Sequence, residues 1–318
     1  MTSTPSGGPL PGPSDGWPDG SPEGPAFTVR VPATSANLGP GFDSFGLALA
    51  RYDEVTVCRT GGPLEVIVSG FGAGEVPLDE RHLVVRAIAE ACHAAGVPVP
   101  GLRLTCVNRI PHGGGLGSSA SAIVAGLLLG RELAAADGGP RLIDETVLAL
   151  GTAMEGHPDN VAPALLGGFT LAFTDDGGQP VAIRREVHPD IQVVAFAAEE
   201  SSSTHHTRGL LPATVPHADA SANAAAAGLL VHALTCDPAR LLAATRDRLH
   251  QHYRAPSMPR SAQLMADLRA AGVAAVISGA GPSVIALVTG DFDVNRWRRP
   301  GFDVDFVPVC TSGAQLVD

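Results

Sequence analysis

One segment constrains this chain more than any other: Pro111-His112-Gly113-Gly114-Gly115-Leu116-Gly117-Ser118-Ser119-Ala120-Ser121. It follows an apolar, strand-like run over residues 102–110 and opens an alanine- and leucine-rich helix expected over 118–137. Free backbone amides at a helix N-terminus carry partial positive charge, and glycines let that backbone approach a polyphosphate closely. The hydroxyls of Ser118 and Ser119 can cap the helix, meet a phosphate oxygen or ligate Mg²⁺. A glycine-rich stretch alone more often marks a flexible loop; strand, loop and helix in succession point to a phosphate cradle. The loop does not match G-x-G-x-x-G with a downstream ribose acid, which argues against a dinucleotide-binding oxidoreductase. Lysine is absent, so all 21 basic residues are arginine, and neither a P-loop lysine nor a Schiff-base lysine is available. Phosphate chemistry here must draw on amides, a metal ion or arginine.

The rest of the composition narrows the setting. A net charge of −11 argues against nucleic-acid or anionic-membrane partners. The most apolar run, 120–130, is short of the roughly 20 residues a membrane span requires. Five scattered cysteines without a C-x-x-C pair suggest reduced thiols and a cytoplasmic protein, with no disulfide frame or zinc site. Residues 1–25, rich in Pro, Gly, Ser and Asp, are expected to be a disordered tail. Beyond them, strands are expected over 27–31, 55–59, 64–69, 102–110, 168–173, 192–197, 276–278 and 284–288. Helices are expected over 81–95, 118–137, 143–155, 221–234, 238–250 and 261–271. Strands and helices mix without regular βαβ alternation, so the fold class is α+β.

Two further motifs bracket the glycine loop. Val31-Pro32-Ala33-Thr34-Ser35-Ala36-Asn37-Leu38-Gly39-Pro40-Gly41-Phe42-Asp43 precedes it, and Ile277-Ser278-Gly279-Ala280-Gly281-Pro282-Ser283 follows. All three, in this order, resemble the motifs of the GHMP kinases, the family of galacto-, homoserine, mevalonate and phosphomevalonate kinases. The first motif resembles the homoserine kinase version. So do Glu155-Gly156-His157-Pro158-Asp159-Asn160-Val161-Ala162-Pro163, and Thr204-His205-His206-Thr207-Arg208 running into Leu211-Pro212. The resemblance implies a two-domain fold: an ATP-binding domain over 26–175 like ribosomal protein S5 domain 2, and a ferredoxin-like C-terminal domain over 176–318. It also implies ATP-dependent phosphorylation of the side-chain hydroxyl of L-homoserine, in threonine biosynthesis.

By the same resemblance the segment from Pro111 to Ser121 cradles the ATP phosphates, and Ser118 and Glu155 hold Mg²⁺. Alone, Glu155 would read as an exposed helix-end carboxylate. Homoserine brings a carboxylate, an ammonium and a hydroxyl. Arg208 and Arg254 are expected at the carboxylate, where a planar guanidinium fits; Arg254 alone would read as a surface arginine on a helix. Asn37, Asp43, His157, Asp159 and Asn160 are expected around the amino group and hydroxyl, with Thr204 as a further substrate contact. Asn37 and Asp43 have a plainer reading as turn formers, and His157 as a hydrogen-bonded core histidine. Asn37, Asp159 and Asn160 are the catalytic candidates; no general base stands out, and Asp159 is a candidate for that role that the sequence does not prove. Where relatives often carry an asparagine near adenine, this chain has His82. It also has a single Gly156 between the metal glutamate and the histidine, where several homoserine kinases have a longer insert. Rival readings are a kinase for another small alcohol, such as mevalonate or a sugar, and a catalytically silent ligand sensor. A homodimer is the assembly considered alongside the small-molecule substrates.

Overall fold

The computed structural model describes residues 24–201 and 207–317. Eleven strands among them form two sheets. In the larger, β1 (Phe27–Ala36) and β2 (Phe45–Arg59) form a long antiparallel hairpin. β4 (Leu102–Asn108) flanks β2, and β3 (Glu65–Gly70) runs parallel to β4 through the helix α1 (Leu83–Ala94). β5 (Phe169–Thr174) joins the start of β2, and β6 (Pro180–Arg185) pairs with β5. The expected division at residue 175 therefore falls inside a hairpin, and the first sheet runs on to Arg185. Near the C-terminal side, β11 (Gln315–Val317) returns to pair with β1.

Against this sheet lie α1, α2 (Ser118–Ala136), α3 (Asp144–Glu155) and α4 (Pro158–Leu166). Their buried Val, Leu, Ile and Ala side chains make one core with Val29, Val31, Val55 and Val57 of the hairpin. α2 has 19 residues and is apolar enough to span a membrane by length and composition. However, 67% of its most apolar stretch is packed inside the protein, so its hydrophobicity belongs to the core.

The second sheet is antiparallel, in the order β10 (Phe302–Phe306), β7 (Ile191–Ala198), β9 (Val284–Thr289), β8 (Ala274–Ile277). Its first strand lies between its fourth and third, which is the ferredoxin-like order. A 3₁₀ turn, Val294–Trp297, occupies the place of the second crossover helix. β7 alternates faces. Val193, Ala195 and Ala197 enter a core shared with Leu38, Phe45 and Leu47 of the hairpin, while Val194 and Phe196 pack under α8 (Pro259–Ala270). α5 (His217–Thr235) closes the shared core with Leu230, Ala233 and Leu234.

The helix expected over 238–250 is broken. After a 3₁₀ turn, Pro238–Arg240, a single turn α6 (Leu241–Ala244) ends where the Thr245 hydroxyl bonds back to the Leu241 carbonyl at 2.8 Å. The Asp247 carboxylate then accepts from the amides of Leu249, His250 and Gln251 at 2.9, 3.1 and 2.7 Å, and starts the new short helix α7 (Gln251–Arg254). Local side-chain bonds to the backbone outcompete the helix here.

Candidate active site

The three motifs meet although up to 243 residues separate the bonded pairs. The Ser278 hydroxyl donates to the Gly115 carbonyl at 2.6 Å and lies 2.9 Å from the Ser35 hydroxyl. The Asn37 side-chain amide donates to the Gly279 carbonyl at 2.9 Å, and Asn37 Oδ1 accepts from the Asp43 amide at 2.9 Å. The amides of Thr34 and Ser283 donate to Leu116 and Gly114 carbonyls at 3.0 and 3.1 Å. Each loop is thus tied to the other two through backbone groups, and in the glycine loop it is the carbonyls of Gly114, Gly115 and Leu116 that are used. The turn after β1 is strained: Asn37, Leu38 and Asp43 have φ of 67°, 49° and 55°, a region that non-glycine residues rarely occupy.

Gly117 shows why the loop needs glycine. Its φ is 72°, and a Cβ there would sit 1.9 Å from the Thr34 hydroxyl and 3.1 Å from Asn160 Oδ1. Thr34 in turn donates to Asn160 Oδ1 at 2.8 Å, which fixes the side chain next to Asp159.

Two cavities open on either side of the α2 N-terminus, and Ser118 and Ser119 line both. The smaller, of about 100 Å³, gathers Asn37, Asp43, Gly113, Gly115, Gly117, Ser118, Ser119, Glu155, His157, Asp159, Asn160, Arg208 and Arg254. Apart from Thr204, which lies outside the described residues, every expected acceptor and metal residue is among them. Gly279 and Ala280 complete the wall. Not all of the loop faces this space. Leu116 and Ala120 are buried and anchor it, Pro111 lies under Gly114, and His112 and Ser121 face the second cavity.

Glu155 closes α3 and accepts from the Ser119 hydroxyl at 2.6 Å. The hydroxyl bonded to this carboxylate is therefore that of Ser119, whereas Ser118 stands beside it in the cavity wall. Burial pushes the Glu155 carboxyl above its usual range, partly offset by the Ser119 bond and by His157. A carboxylate held in this way gains from a cation. Among the described residues no three His, Cys, Asp or Glu side chains converge as a preformed metal cage. The donors present, one carboxylate and two hydroxyls, fit Mg²⁺ shared with phosphate oxygens, since that ion favours hard oxygen ligands and one or two carboxylates.

His157 Nδ1 lies 2.5 Å from Asp159 Oδ1, and that bond raises the imidazole above its ordinary range despite burial. Asp159 itself is 1% exposed, at the N-terminus of α4, where the helix dipole favours a negative charge. Arg208 forms a fork on Asp43, with Nη1 to Oδ2 at 2.9 Å and Nη2 to Oδ1 at 2.8 Å. Arg254 is 2% exposed, and burial and Arg208 both lower its affinity for the proton, yet a guanidinium stays charged.

The second cavity, of about 300 Å³, lies between α1, β4 and the loop, and sequence reasoning placed only His82 near it. Its walls are Val55, Val76, Pro77, Leu83, Val84 and Cys106 with a few polar groups. Two of these are orphans: Nδ1 of buried His82 and Oγ of buried Ser121 have no hydrogen-bond partner among the described residues. Buried orphans on a cavity wall invite a ligand with polar edges. Burial, with His112 nearby, holds His82 neutral by pushing its imidazole down. Asp53, missed by the sequence reading, sets the loop entrance: its Oδ1 accepts from the Arg109 and Ile110 amides at 2.6 and 2.9 Å.

A polyphosphate at the head of α2 would reach from an apolar cavity with polar orphans to a pocket that holds both signs of charge. That is the layout of a phosphotransferase for a small polar alcohol. Comparison with known proteins gives the same class: the chain belongs to the GHMP kinase family, whose N terminal domain matches residues 82–168 and whose C terminal domain matches residues 230–301. It is similar to the homoserine kinase of Rhodococcus erythropolis, 51% identical over 85% of this chain and 88% of the relative. The homoserine kinase of Streptomyces coelicolor is 52% identical over 84% and 88%. Among solved structures, the homoserine kinase of Cytophaga hutchinsonii shares the fold with a TM-score of 0.79, at 24% identity over 93% of this chain and 98% of that one.

Proposed function

We propose that this kinase transfers the γ-phosphoryl group of ATP to the side-chain hydroxyl of L-homoserine, giving O-phospho-L-homoserine for threonine biosynthesis. One observation carries the reading: a single small pocket beside the glycine loop pairs the acids Asp43 and Asp159 with the guanidinium groups of Arg208 and Arg254. An amino acid presents the complementary charges, whereas mevalonate offers no cation and a sugar no charge at all. The names of the similar kinases support the same substrate.

In this account the amides from Gly113 to Ser119 and the α2 dipole hold the triphosphate, and the second cavity takes the adenosine. Mg²⁺, held by Glu155 with Ser118 and Ser119, would supply neutralisation of the phosphate charge. Arg208 and Arg254 take the substrate carboxylate, and Asp43 with the Asn37 amide oxygen faces its ammonium. Asp159 and Asn160 orient the hydroxyl toward the γ-phosphorus. Phosphoryl transfer through a loose transition state needs positioning and charge neutralisation more than a strong base. The hydroxyl proton can pass to Asp159, paired with a His157 that favours the charged form, or to a phosphate oxygen. A cytoplasmic homodimer is part of the same proposal, and sedimentation reads the assembly state. Incubation with ATP, Mg²⁺ and L-homoserine, followed by phosphorus NMR, tests the reaction. A phosphate monoester coupled to the side-chain methylene is expected; phosphate released only to water would refute acceptor transfer.

A further inference from the structure

The two arginines of the acceptor pocket are held differently. Arg208 leans on Asp43 at the pocket rim, with both side chains partly exposed. Arg254 comes up from α7 beneath the pocket, donates from Nε to the Thr207 carbonyl at 3.3 Å, and meets Nδ1 of His250 through Nη1 at 3.2 Å. His250 is wholly buried, and its Nε2 lies 2.8 Å from the Gly39 carbonyl. A carbonyl only accepts and a guanidinium only donates, so these two contacts specify one state of the ring: hydrogen on Nε2 and a bare Nδ1. Burial pushes His250 toward this neutral form, Arg254 adds to that push, and Asp247, Gly39 and Asp43 oppose it. Gly39 belongs to the strained turn that presents Asn37 and Asp43. Phe42, in the same turn, has its ring 5.2 Å from that of His250 and 5.4 Å from the guanidinium carbon of Arg254.

We propose that His250 is the positioning residue of the acceptor pocket: Nδ1 fixes the Arg254 guanidinium, and Nε2–H ties that arginine to the Gly39 turn. The carboxylate clamp and the ammonium side of the pocket are then held at one spacing by a single imidazole that touches no substrate atom. The inference rests on the proposed contact of Arg254 with the substrate carboxylate. It adds a residue that neither the motifs nor the comparisons single out.

Two neutral amides separate the two bonds. His250→Asn keeps an acceptor where Nδ1 stands and loses the bond to Gly39; His250→Gln keeps a donor where Nε2 stands and loses the bond to Arg254. The expected result is a homoserine KM raised about tenfold in His250→Gln, the scale of one lost hydrogen bond to a charged group, with the KM for ATP unchanged. His250→Asn should stay within about threefold of the wild type, because the acceptor for the guanidinium remains. Aminopropanol, homoserine without its carboxylate, gives a second readout: its kcat/KM should be the same in His250→Gln as in the wild type, because the contact tuned by His250 is absent from the ligand. That comparison is read on His250→Gln; if this variant does not fold, His250→Asn carries the test, because a homoserine KM raised well beyond about threefold there overturns the proposal. The reverse order, with His250→Asn impaired and His250→Gln near normal, would assign His250 only to the Gly39 turn and overturn the proposal. So would equal losses for homoserine and aminopropanol, which mark general damage to the core. Arg254→Gln distinguishes the premise: an unchanged homoserine KM there removes the arginine from the substrate site. A raised KM there, beside a normal one in His250→Gln, overturns only the role of His250.

Discussion

Replacing Arg208 by alanine removes a guanidinium that the free protein uses against Asp43. The pair has good fork geometry, at 2.8 and 2.9 Å, but the two side chains are 43% and 34% exposed. Solvent screening at such exposure limits an ion pair to about 1 kcal/mol or less, so the thermal midpoint should move little. Substrate binding changes the sum. In the proposed complex a carboxylate enclosed between Arg208 and Arg254 would make charge-assisted bonds worth about 1.5–3 kcal/mol, which corresponds to roughly a ten- to hundredfold change in affinity. There that carboxylate would be remote from the transferring phosphorus, so its contact would be the same in the ground and transition states and its loss should fall on KM. Steady-state assays should give a homoserine KM raised roughly ten- to a hundredfold in Arg208→Ala, a nearly unchanged kcat and an unchanged KM for ATP. Arg208→Lys keeps the charge without the fork and should recover part of the affinity. A raised KM for ATP with a normal KM for homoserine would put Arg208 on the nucleotide side and refute this layout.

Other outcomes follow from the same geometry. Glu155→Gln keeps the Ser119 contact but removes the charge offered to Mg²⁺, and kcat should fall by at least about a hundredfold; near-normal kcat at saturating Mg²⁺ would remove Glu155 from the site. Because burial raises the Glu155 carboxyl above 4.5, its ionisation costs stability as pH rises, so the ligand-free glutamine variant should melt no lower than the wild type at neutral pH. For His157, raised above 6.5 chiefly by Asp159, the pair's contribution is complete below 6.5 and is lost as pH rises through the folded value. His157→Gln should therefore flatten the fall in chemical-denaturation stability above that pH, and an unchanged slope would show that the pair does not titrate there.

Much of the site was legible because its signals are local. Glycines and hydroxyls at Gly113–Ser121, and Asn and Asp in the turn after β1, announce backbone approach and tight turns in a few residues. What joins them was not legible: the bonds from Ser278 to Gly115 and from Asn37 to Gly279 cross 163 and 242 residues, and no periodicity records them. The same holds for Phe42 and His250 beneath the arginines, and for the second cavity, whose orphans His82 and Ser121 come from different helices' starts. Some misses had a signal. Phe45, Leu47 and Leu49 form a period-two row that extends β2 well before residue 55, and all three enter the core between the sheets. The break at Asp247 was harder to see, because alanine- and leucine-rich sequence around it favours helix while one carboxylate collects three amides. Ser119, not Ser118, meets Glu155 because adjacent residues on a helix point about 100° apart, a choice that composition cannot make.

The substrate assignment is tested most directly by kcat/KM for L-homoserine against mevalonate, galactose and L-serine under one Mg-ATP condition. L-homoserine should exceed each of the others by at least about a hundredfold, since each leaves a buried charge unpaired or brings its hydroxyl short of the γ-phosphorus. A higher value for mevalonate or galactose would contradict the homoserine reading, while leaving the fold and the family as they stand.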